Sequence, residues 1–277
     1  MTHERVRLGI SACLLGEPVR FDGGHKRDPF LVESLGAFVE WVPVCPEVEL
    51  GLGTPRETVR LEVHGGRVRM IASGSRIDHS DAMRAFARRR VAGLARERLS
   101  GYILKQGSPS CGLRGVPIHH ESGAALRSGR GLFAEALLAR FPHLPVEEEG
   151  RLAAPRLRES FLVRVLIYHR VQSFFAGRWT PSALAAFHAV HEPLLSARGA
   201  VVCKRLVRVP GQRERTRMEL REGYTDAFMR GLARPTAPAR RAKALGLLLD
   251  ALRPHARGDR QHAAFKKLLL ADDAPPD

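Results

Sequence analysis

Three cysteines of this sequence each follow a short apolar stretch that has the pattern of a buried strand. The cysteines are Cys13, Cys45 and Cys111, and the stretches before them are residues 5–11, 38–44 and 101–105. The ends of the strands in an open parallel sheet lie along one edge, where ligands bind. The sequence therefore predicts that thiols 32 and 66 residues apart in the chain meet at one site.

Three thiolates that leave a fourth position open suit either a zinc ion or a [4Fe–4S] cluster. The wide spacing of the cysteines matches no zinc ribbon, in which cysteines occur as close pairs. Glycine or proline lies near every cysteine, which gives a backbone able to wrap around a bulky cluster. We therefore predict a cluster with one iron free to act as a Lewis acid. The alternative is three small buried apolar side chains.

The segments around these cysteines alternate between strand-like and helix-like patterns, which predicts an α/β domain with a mostly parallel sheet over residues 1–150. Gly65 and Gly66 mark a hairpin turn, and Asp78 is the predicted N-cap of the longest helix. Apolar residues on one face of that helix are Met83, Phe86, Ala87, Val91 and Leu94. The predicted elements are strands at 5–11, 38–44 and 101–105, a hairpin at 59–71, and helices at 29–37, 78–99 and 131–140.

A change of character follows the α/β pattern. Residues 141–155 contain prolines and an acidic run at 147–149, which is typical of a linker. Beyond this segment we predict an all-α domain over residues 155–277. Its predicted helices cover residues 159–175, one helix from 181, and residues 217–232, 238–252 and 259–270.

The second predicted helix of the all-α domain has a clear start signal, with Thr180 as N-cap and Pro181 at the first position. Residues that recur at helical spacing within it are Phe187, Val190, His191 and Leu194. His188 and His191 lack the sequence frame of a zinc-binding helix. We interpret both as histidines on the helix surface.

Charge is spread unevenly along the chain, whose formal net charge is +16. Residues 1–150 carry 21 basic and 18 acidic side chains, whereas residues 151–277 carry 24 and 11. A strongly basic half indicates an acidic partner, with nucleic acid as the first expectation. The alternative is a set of solvated arginine-rich helices with no such partner.

The remaining composition indicates a globular protein of a reducing compartment. Hydrophobic residues make up 44% of the chain, and we find neither a membrane span nor the apolar stretch of a secretory signal. We therefore expect a cytoplasmic location. Four cysteines are too few for a disulfide scaffold, and we expect the last of them, Cys203, to be a core residue.

The segments that carry the three cysteines resemble the thiouracil and thiouridine desulfidase family. The matching segments are SACLLGEPVRFDGGHKR at 11–27, WVPVCPEVELGLGTPRETVRL at 41–61 and GYILKQGSPSCG at 101–112. The resemblance covers about residues 5–150. It implies an α/β domain that binds a [4Fe–4S] cluster through Cys13, Cys45 and Cys111, with Glu47 as catalytic carboxylate and Ser108 as catalytic serine.

The second half resembles the helical domain of YbgA-like proteins, which is often fused to this desulfidase. The helix pair at 161–195 fits that domain, whereas residues 197–212 depart from its pattern. Two-domain proteins of this kind are similar to desulfidases that convert 4-thiouridine in tRNA to uridine. The resemblance thus implies thiolated tRNA as the partner, with no expectation of DNA or a membrane.

From these residues we predict a hydrolytic desulfurisation. Glu47 activates a water for attack on the ring carbon of the pyrimidine, and Ser108 moves a proton. The reaction needs no net change of redox state. The alternatives are that Glu47 caps a helix or pairs with Arg56, and that Ser108 only forms a turn.

Further candidate residues lie near the site and in the basic half. Asp22, Lys26 and Arg56 are candidate substrate-binding residues; Asp22, His25 and Lys26 alternatively only shape a glycine-rich turn. The candidate RNA-binding residues, which would contact phosphates, are Lys204, Arg205, Arg208, Arg213, Arg215, Arg217 and Arg221. Arg240, Arg241 and Lys243 extend the same basic set.

Three other functions fit parts of this pattern. The first is a desulfidase of free thiouracil, with a basic half that serves another purpose. The second is a non-catalytic RNA-binding protein whose cluster is structural or senses oxygen. The third is a zinc hydrolase, which would be purified as a colourless protein, whereas an iron–sulfur protein is brown.

Overall fold

The computed structural model describes residues 5–120, 125–197 and 216–234, together with Gly246 and Ala263. This described chain divides into two compact units, the first being Arg5–Arg158 and the second beginning at Glu159. None of the helices in these ranges combines the length and the apolar character needed to cross a membrane.

The first unit holds two four-stranded sheets, and their strands in chain order are β1 (Val6–Ser11), β2 (Val39–Val44), β3 (Val59–His64), β4 (Arg67–Ala72), β5 (Gly101–Leu104), β6 (Val116–His119), β7 (Ala125–Gly129) and β8 (Val146–Glu148). The first sheet has the order β2-β1-β5-β8, and all its strands are parallel. Apolar side chains of the central strands, such as Ile10 and Ile103, are completely buried. The predicted α/β class with a mostly parallel sheet is confirmed.

The second sheet has the order β4-β3-β6-β7 and mixes both directions of pairing. Strands β3 and β4 form the antiparallel hairpin that the sequence predicts. Gly65 and Gly66 have φ angles of 56° and 74°, a region that favours glycine and gives the tight turn its twist. Strand β6 runs parallel to β3 and antiparallel to β7.

Three α-helices of the first unit are α1 (Pro46–Glu49), α2 (Ser80–Leu94) and α3 (Leu132–Arg140), and residues Phe30–Leu35 form one π-helical segment. The buried residues of α2 include all five apolar residues of the predicted face. The predicted N-cap is wrong by one residue, because His79 holds that position. Asp78 still contributes, since its Oδ1 accepts a hydrogen bond from the Ser80 N–H at 2.8 Å.

The segment at 141–155 is not the linker that its composition predicts. Residues Val146–Glu148 form the fourth strand of the first sheet, paired with β5, and all three are buried. A 3₁₀ turn at Glu149–Ala153 then leads into the next helix. The prediction fails because buried glutamates need partners from distant segments, and composition alone does not reveal such partners.

The described part of the second unit is helical, with α4 (Pro155–Ala176), which begins in the first unit, α5 (Pro181–Ser196) and α6 (Arg217–Leu232). An all-α second domain is thus confirmed for these residues. The predicted start of α5 is also correct, because the Thr180 hydroxyl accepts a hydrogen bond from the Ala183 N–H at 3.1 Å. The helices predicted at 238–252 and 259–270 and the core position of Cys203 lie outside the described residues.

Two predictions about α5 are wrong. Val190 is exposed, although it belongs to the set at i, i+3, i+4 and i+7 spacing, which is typical of the buried face of a helix. His188 and His191 are buried rather than on the helix surface, with His191 only 1% exposed. They pack among aromatic rings, including those of Phe187 and Tyr224, and the Nδ1 atom of His191 lies 2.7 Å from the Phe187 carbonyl oxygen. The interpretation of the two histidines as surface residues fails because imidazole counts as polar, although an aromatic core accepts its ring.

Candidate active site

The carboxyl ends of three neighbouring strands form the base of one cavity. Ser11 and Val44 are register partners at the ends of β1 and β2, and the Ser11 hydroxyl accepts a hydrogen bond from the Lys105 N–H just beyond β5. The cavity has a volume of about 240 Å³. The residues with candidate roles that line it are Cys13, Cys45, Glu47, Arg56, Ser108 and Cys111. The structure therefore brings together three thiols and both predicted catalytic side chains.

The three cysteines reach this cavity from different local structures, and all three are free thiols. Cys13 lies in a 3₁₀ turn after β1, and Cys45 is the N-cap residue of α1. Burial raises the pKa of the Cys13 thiol to about 11, and the nearby Cys45 thiol adds to this rise. Burial also raises the pKa of the Cys45 and Cys111 thiols. Binding of a metal or cluster by these groups therefore releases protons.

The loop that carries Cys111 is held from two sides. At the start of α3, the Gly131 N–H donates to the Gly112 carbonyl at 2.8 Å, and the Phe133 N–H donates to the Ser110 carbonyl at 3.0 Å. On the other side, the buried carboxylate of Glu148 accepts a hydrogen bond from the Leu113 N–H at 2.8 Å. Sequence reasoning missed Glu148, which lies in the acidic run interpreted as a linker.

Glu47 and Arg56 form a buried ion pair at the edge of the cavity. The Arg56 Nη2 and Nε atoms lie 2.6 and 3.1 Å from Glu47 Oε2, and the two side chains are only 7% and 12% exposed. Arg56 also donates to the Val19 and Gly53 carbonyls. Its guanidinium is therefore fixed, and it fixes the Glu47 carboxylate in turn. The pairing that the sequence leaves open as an alternative is present.

A chain of hydrogen bonds joins Ser108 to Glu47. The Ser108 and Ser110 hydroxyl oxygens lie 2.9 Å apart, and Ser110 donates to Glu47 Oε1 at 2.7 Å. Ser108 Oγ also accepts a hydrogen bond from the Cys111 N–H at 3.1 Å. Sequence reasoning gave no role to Ser110, although it stands in the same Ser-Pro-Ser-Cys segment. The two predicted catalytic residues are thus linked through a buried hydroxyl.

Further residues that line the cavity also escaped the sequence analysis. Lys105 forms an ion pair with Glu149, and the Gln106 N–H donates to the same carboxylate at 2.7 Å. Phe21 lines the cavity and is 38% exposed, and the Arg20 guanidinium lies 5.2 Å from the centre of its ring. These residues lie next to the cysteines in the sequence, which is the only indication of a role that the sequence offers. Whether their side chains point into the cavity depends on tertiary contacts.

Of the three candidate substrate-binding residues, Arg56 lines the cavity and the other two do not. Asp22 is exposed, and its Oδ1 accepts a hydrogen bond from the Gly24 N–H at 3.0 Å while its carboxylate pairs with Arg20. Lys26 is also exposed, and its backbone N–H donates to the Cys13 carbonyl at 2.9 Å. Both residues therefore shape the loop that carries Cys13.

The candidate RNA-binding residues are described only in part. Arg217 lies over the Trp179 ring with 5.0 Å to its centre, and it donates to the Trp179 carbonyl. Arg221 lies 5.9 Å from the centre of the Phe175 ring, and both arginines are exposed. The candidates outside the described residues are Lys204, Arg205, Arg208, Arg213, Arg215, Arg240, Arg241 and Lys243.

Comparison with known proteins identifies the family. The sequence profile of the 2-thiouracil desulfurase family matches residues 8–149. A solved structure described as the [4Fe-4S]-dependent thiouracil desulfidase TudS (DUF523Vcz) is similar over 57% of this chain and 99% of that chain, with 30% identity and a TM-score of 0.46. A search of curated proteins finds no match. The predicted resemblance of the first 150 residues is confirmed: the chain belongs to the 2-thiouracil desulfurase family.

Proposed function

We propose that this protein is a hydrolytic desulfidase that converts 4-thiouridine in tRNA to uridine and releases sulfide. Family membership assigns the chain to enzymes that remove sulfur from a thiolated pyrimidine. The observation that carries the proposal further is the single cavity lined by three thiols, Glu47 and Ser108. We place this reaction in the cytoplasm, where free thiols stay reduced.

The proposed cofactor is a [4Fe–4S] cluster held by Cys13, Cys45 and Cys111, and the donor set fits it. A set made only of thiolates is typical of iron–sulfur clusters. The three cysteines come from three separate loops that line one cavity, which allows their thiolates to bind separate iron atoms of one cluster.

With three protein ligands, such a cluster supplies one iron without a protein ligand as a Lewis acid for the thiocarbonyl sulfur. The protein's own residues then have to place the pyrimidine and handle protons. The exposed ring of Phe21 at the cavity offers a face on which a base can stack. Base stacking is tolerant of sequence, so the thiocarbonyl group itself would select the substrate.

Glu47 is the proposed general base. Arg56 holds one carboxylate oxygen and Ser110 binds the other, so the orientation of the carboxylate is set before substrate arrives. Each carboxylate oxygen has more than one acceptor site, and Oε1 is therefore able to accept a proton from a water as well. The activated water attacks the ring carbon that bears sulfur.

The hydroxyl chain is the proposed path for the proton. The proton that Glu47 takes from water passes through Ser110 to Ser108, whose hydroxyl delivers it to the ring nitrogen or to the departing sulfur. One water enters, and its oxygen forms the new carbonyl group of the pyrimidine. As the C–S bond breaks, Glu47 takes the second proton from the hydroxyl group of the intermediate, and the sulfur leaves as H₂S with both protons of the water. The sequence of steps balances without an electron donor.

Support for tRNA rather than a free base as substrate comes from charge. Residues 151–277 carry 24 basic and 11 acidic side chains, and such an excess favours a polyanion. We propose that this half, as a YbgA-like helical domain, contributes phosphate contacts. Arg217 and Arg221, both exposed and stacked on aromatic rings, are the described residues that we assign to this role.

The deciding experiment compares sulfide release from 4-thiouridine-containing tRNA with release from free 4-thiouracil, using anaerobically prepared full-length protein. We expect a higher kcat/KM on the tRNA, with uridine as the product at the thiolated position. If only the free base were turned over, the proposed RNA substrate would be wrong and the substrate would be a free thiouracil. Absence of sulfide release from both would leave a non-catalytic iron–sulfur protein.

A further inference from the structure

A second cavity of the first unit is rich in arginine and lies outside the cysteine site. It is an open groove of about 510 Å³ between strand β4, strand β6 and the helices α2 and α3. Its lining residues with charge are Arg67, Arg69, Arg84, Arg130, Asp81 and Glu135. Val68, Ile118 and Leu132 supply its apolar surface. The lining therefore carries four guanidinium groups and two carboxylates.

The arginines of this groove are poorly neutralised. Arg69 pairs with Asp78 at 3.2 Å and approaches Asp81 at 3.8 Å. In the part of the chain that the structure describes, Arg67, Arg84 and Arg130 make no ion pair with a carboxylate. Arginines without ion-pair partners repel one another in a concave surface, and this repulsion destabilises the folded protein. A bound anion would remove that repulsion.

Two of these arginines are oriented by backbone carbonyls. Arg84 Nη2 donates to the Val68 carbonyl at 3.1 Å, and Arg130 Nε donates to the Leu113 carbonyl at 3.0 Å. Each contact uses one donor and leaves the rest of the guanidinium fork free for a ligand. A planar fork held in this way is suited to two-point recognition of a phosphate.

The groove adjoins the cysteine site through the start of α3. The N–H of Leu132, which lines the groove, donates to the carbonyl of Pro109, which lines the cysteine cavity, at 3.2 Å. Arg130 contacts the carbonyl of Leu113, two residues after Cys111. A polyanion in the groove would therefore lie next to the loop that carries Cys111.

We propose that this groove binds the phosphodiester backbone of the RNA substrate and so makes the catalytic unit itself part of the RNA-binding surface. This inference rests on the proposed function, because it takes the substrate to be RNA. The arginines would contact phosphates, and the apolar residues would pack against a ribose or base. Such contacts set the register of the RNA without reading its sequence.

The test measures equilibrium binding of unthiolated tRNA to the full-length protein and to variants at several salt concentrations. Arg67→Glu changes an exposed groove arginine whose side chain forms no ion pair with any carboxylate of the described residues. Arg88→Glu is the matched control, because Arg88 is exposed on α2, does not line the groove and changes the net charge equally. Circular dichroism verifies that each variant is folded, and absorbance at about 400 nm verifies that it holds the cluster.

We expect Arg67→Glu to weaken tRNA binding about tenfold and to lower the salt slope by about 0.7–0.9, the value of one phosphate contact. Arg88→Glu should bind close to wild type. The proposal that the groove binds RNA would be overturned if both variants lost tRNA affinity equally, or if the wild-type protein did not bind tRNA. A groove-specific loss in a protein that releases no sulfide from thiolated tRNA would overturn the proposed reaction and leave the groove in place.

Discussion

Ser110 lies between the two side chains to which the sequence assigns catalysis. Its hydroxyl is within 2.9 Å of Ser108 Oγ and donates to Glu47 at 2.7 Å, and the residue is 1% exposed. A buried hydroxyl with both neighbours in the same site has the geometry of a proton relay. Its role in the reaction is therefore testable apart from that of Ser108.

We expect Ser110→Ala to lower kcat by about 100-fold, because general acid–base catalysis contributes at least that factor. The cluster content and the KM should change little, since the thiols and the stacking ring stay in place. The rate of sulfide release from the substrate that turns over gives kcat and KM, and iron analysis gives the cluster content. Ser110→Thr keeps a hydroxyl and should retain more activity than the alanine variant. Unchanged kcat in Ser110→Ala would remove the relay.

Substitution of Arg56 tests the ion pair that holds Glu47 in place. We expect Arg56→Met to lower the free energy of unfolding by about 3 kcal/mol, because a buried carboxylate then loses its charged partner. The double variant Glu47→Gln/Arg56→Met should regain part of this stability but no activity. Denaturant unfolding and sulfide release give the two readouts. Single and double variants of equal stability would contradict the coupling.

Residues in local motifs are those that the sequence predicts best. Cys13, Cys45 and Cys111 follow strands, and their meeting at one cavity follows from parallel strand order. The sequence names Arg56 as a possible partner of Glu47, but it does not decide between this ion pair and the other roles of Glu47. The contacts of Ser110 and Glu148 could not be predicted, since each joins segments more than 30 residues apart.

At the scale of elements, the start of α3 and the loop of Cys111 behave as one packed structure. Gly131 lies so close to this loop that an added Cβ would meet the Ser110 carbonyl oxygen at 2.3 Å and the Cys111 nitrogen at 2.8 Å. Both are backbone atoms, so no flexible side chain is available to give way. The glycine is required by this close approach and not by its backbone angles.

Gly131→Ala should therefore displace the Cys111 loop, lower the iron content and reduce stability by about 1–3 kcal/mol. Gly93→Ala is the matched control, because Gly93 lies within α2 with no neighbour near the added methyl group. That control should keep its iron and gain up to about 1 kcal/mol from helix propensity. Equal iron content in the two variants would show that the loop position does not depend on α3.

Elements with strong periodicity were predicted well, and a short strand with charged residues was not. The hairpin of β3 and β4 and the buried face of α2 follow directly from their patterns. Strand β8 has only three residues, two of them glutamate, and it is recognisable only beside β5. The Glu148 carboxylate is tolerated inside because backbone N–H groups of the Cys111 loop satisfy it.

At the scale of the whole molecule, the second unit has a core that contains two histidines. Burial lowers the pKa of His191 to about 4, and the pKa of His188 is also lowered by burial. The Nε2 atoms of both rings are buried, and within the described ranges neither has a hydrogen-bond partner. Arg170 and the neighbouring histidine oppose the charged form of His191, whereas Glu192 favours that of His188.

A depressed folded-state pKa means that the unfolded chain binds the proton first. The stabilising effect is complete above about pH 6.5 and is lost as the pH falls towards 4, by up to about 3 kcal/mol for His191. We expect His191→Phe to weaken this loss, and His25→Gln, at an exposed loop position, to leave it unchanged. Thermal unfolding between pH 7 and 4.5 measures the difference. Identical pH profiles for all three proteins would contradict it.

The division of the molecule into a catalytic α/β unit and a basic helical part follows from composition and charge along the sequence. The arginine groove of the first unit was not predicted, because its arginines come from β4, α2 and the segment before α3. The distribution of charge along the sequence predicts RNA contacts for the second half alone. Only the fold gathers basic residues of the nearly neutral half into one surface.

The central claim is that the three cysteines together hold a [4Fe–4S] cluster. Its most direct test is the iron and acid-labile sulfide content of anaerobically prepared full-length protein. We predict about four iron and four sulfide per chain, and loss of most of both in a Cys111→Ser variant. A colourless protein that contains zinc and no acid-labile sulfide would contradict the claim.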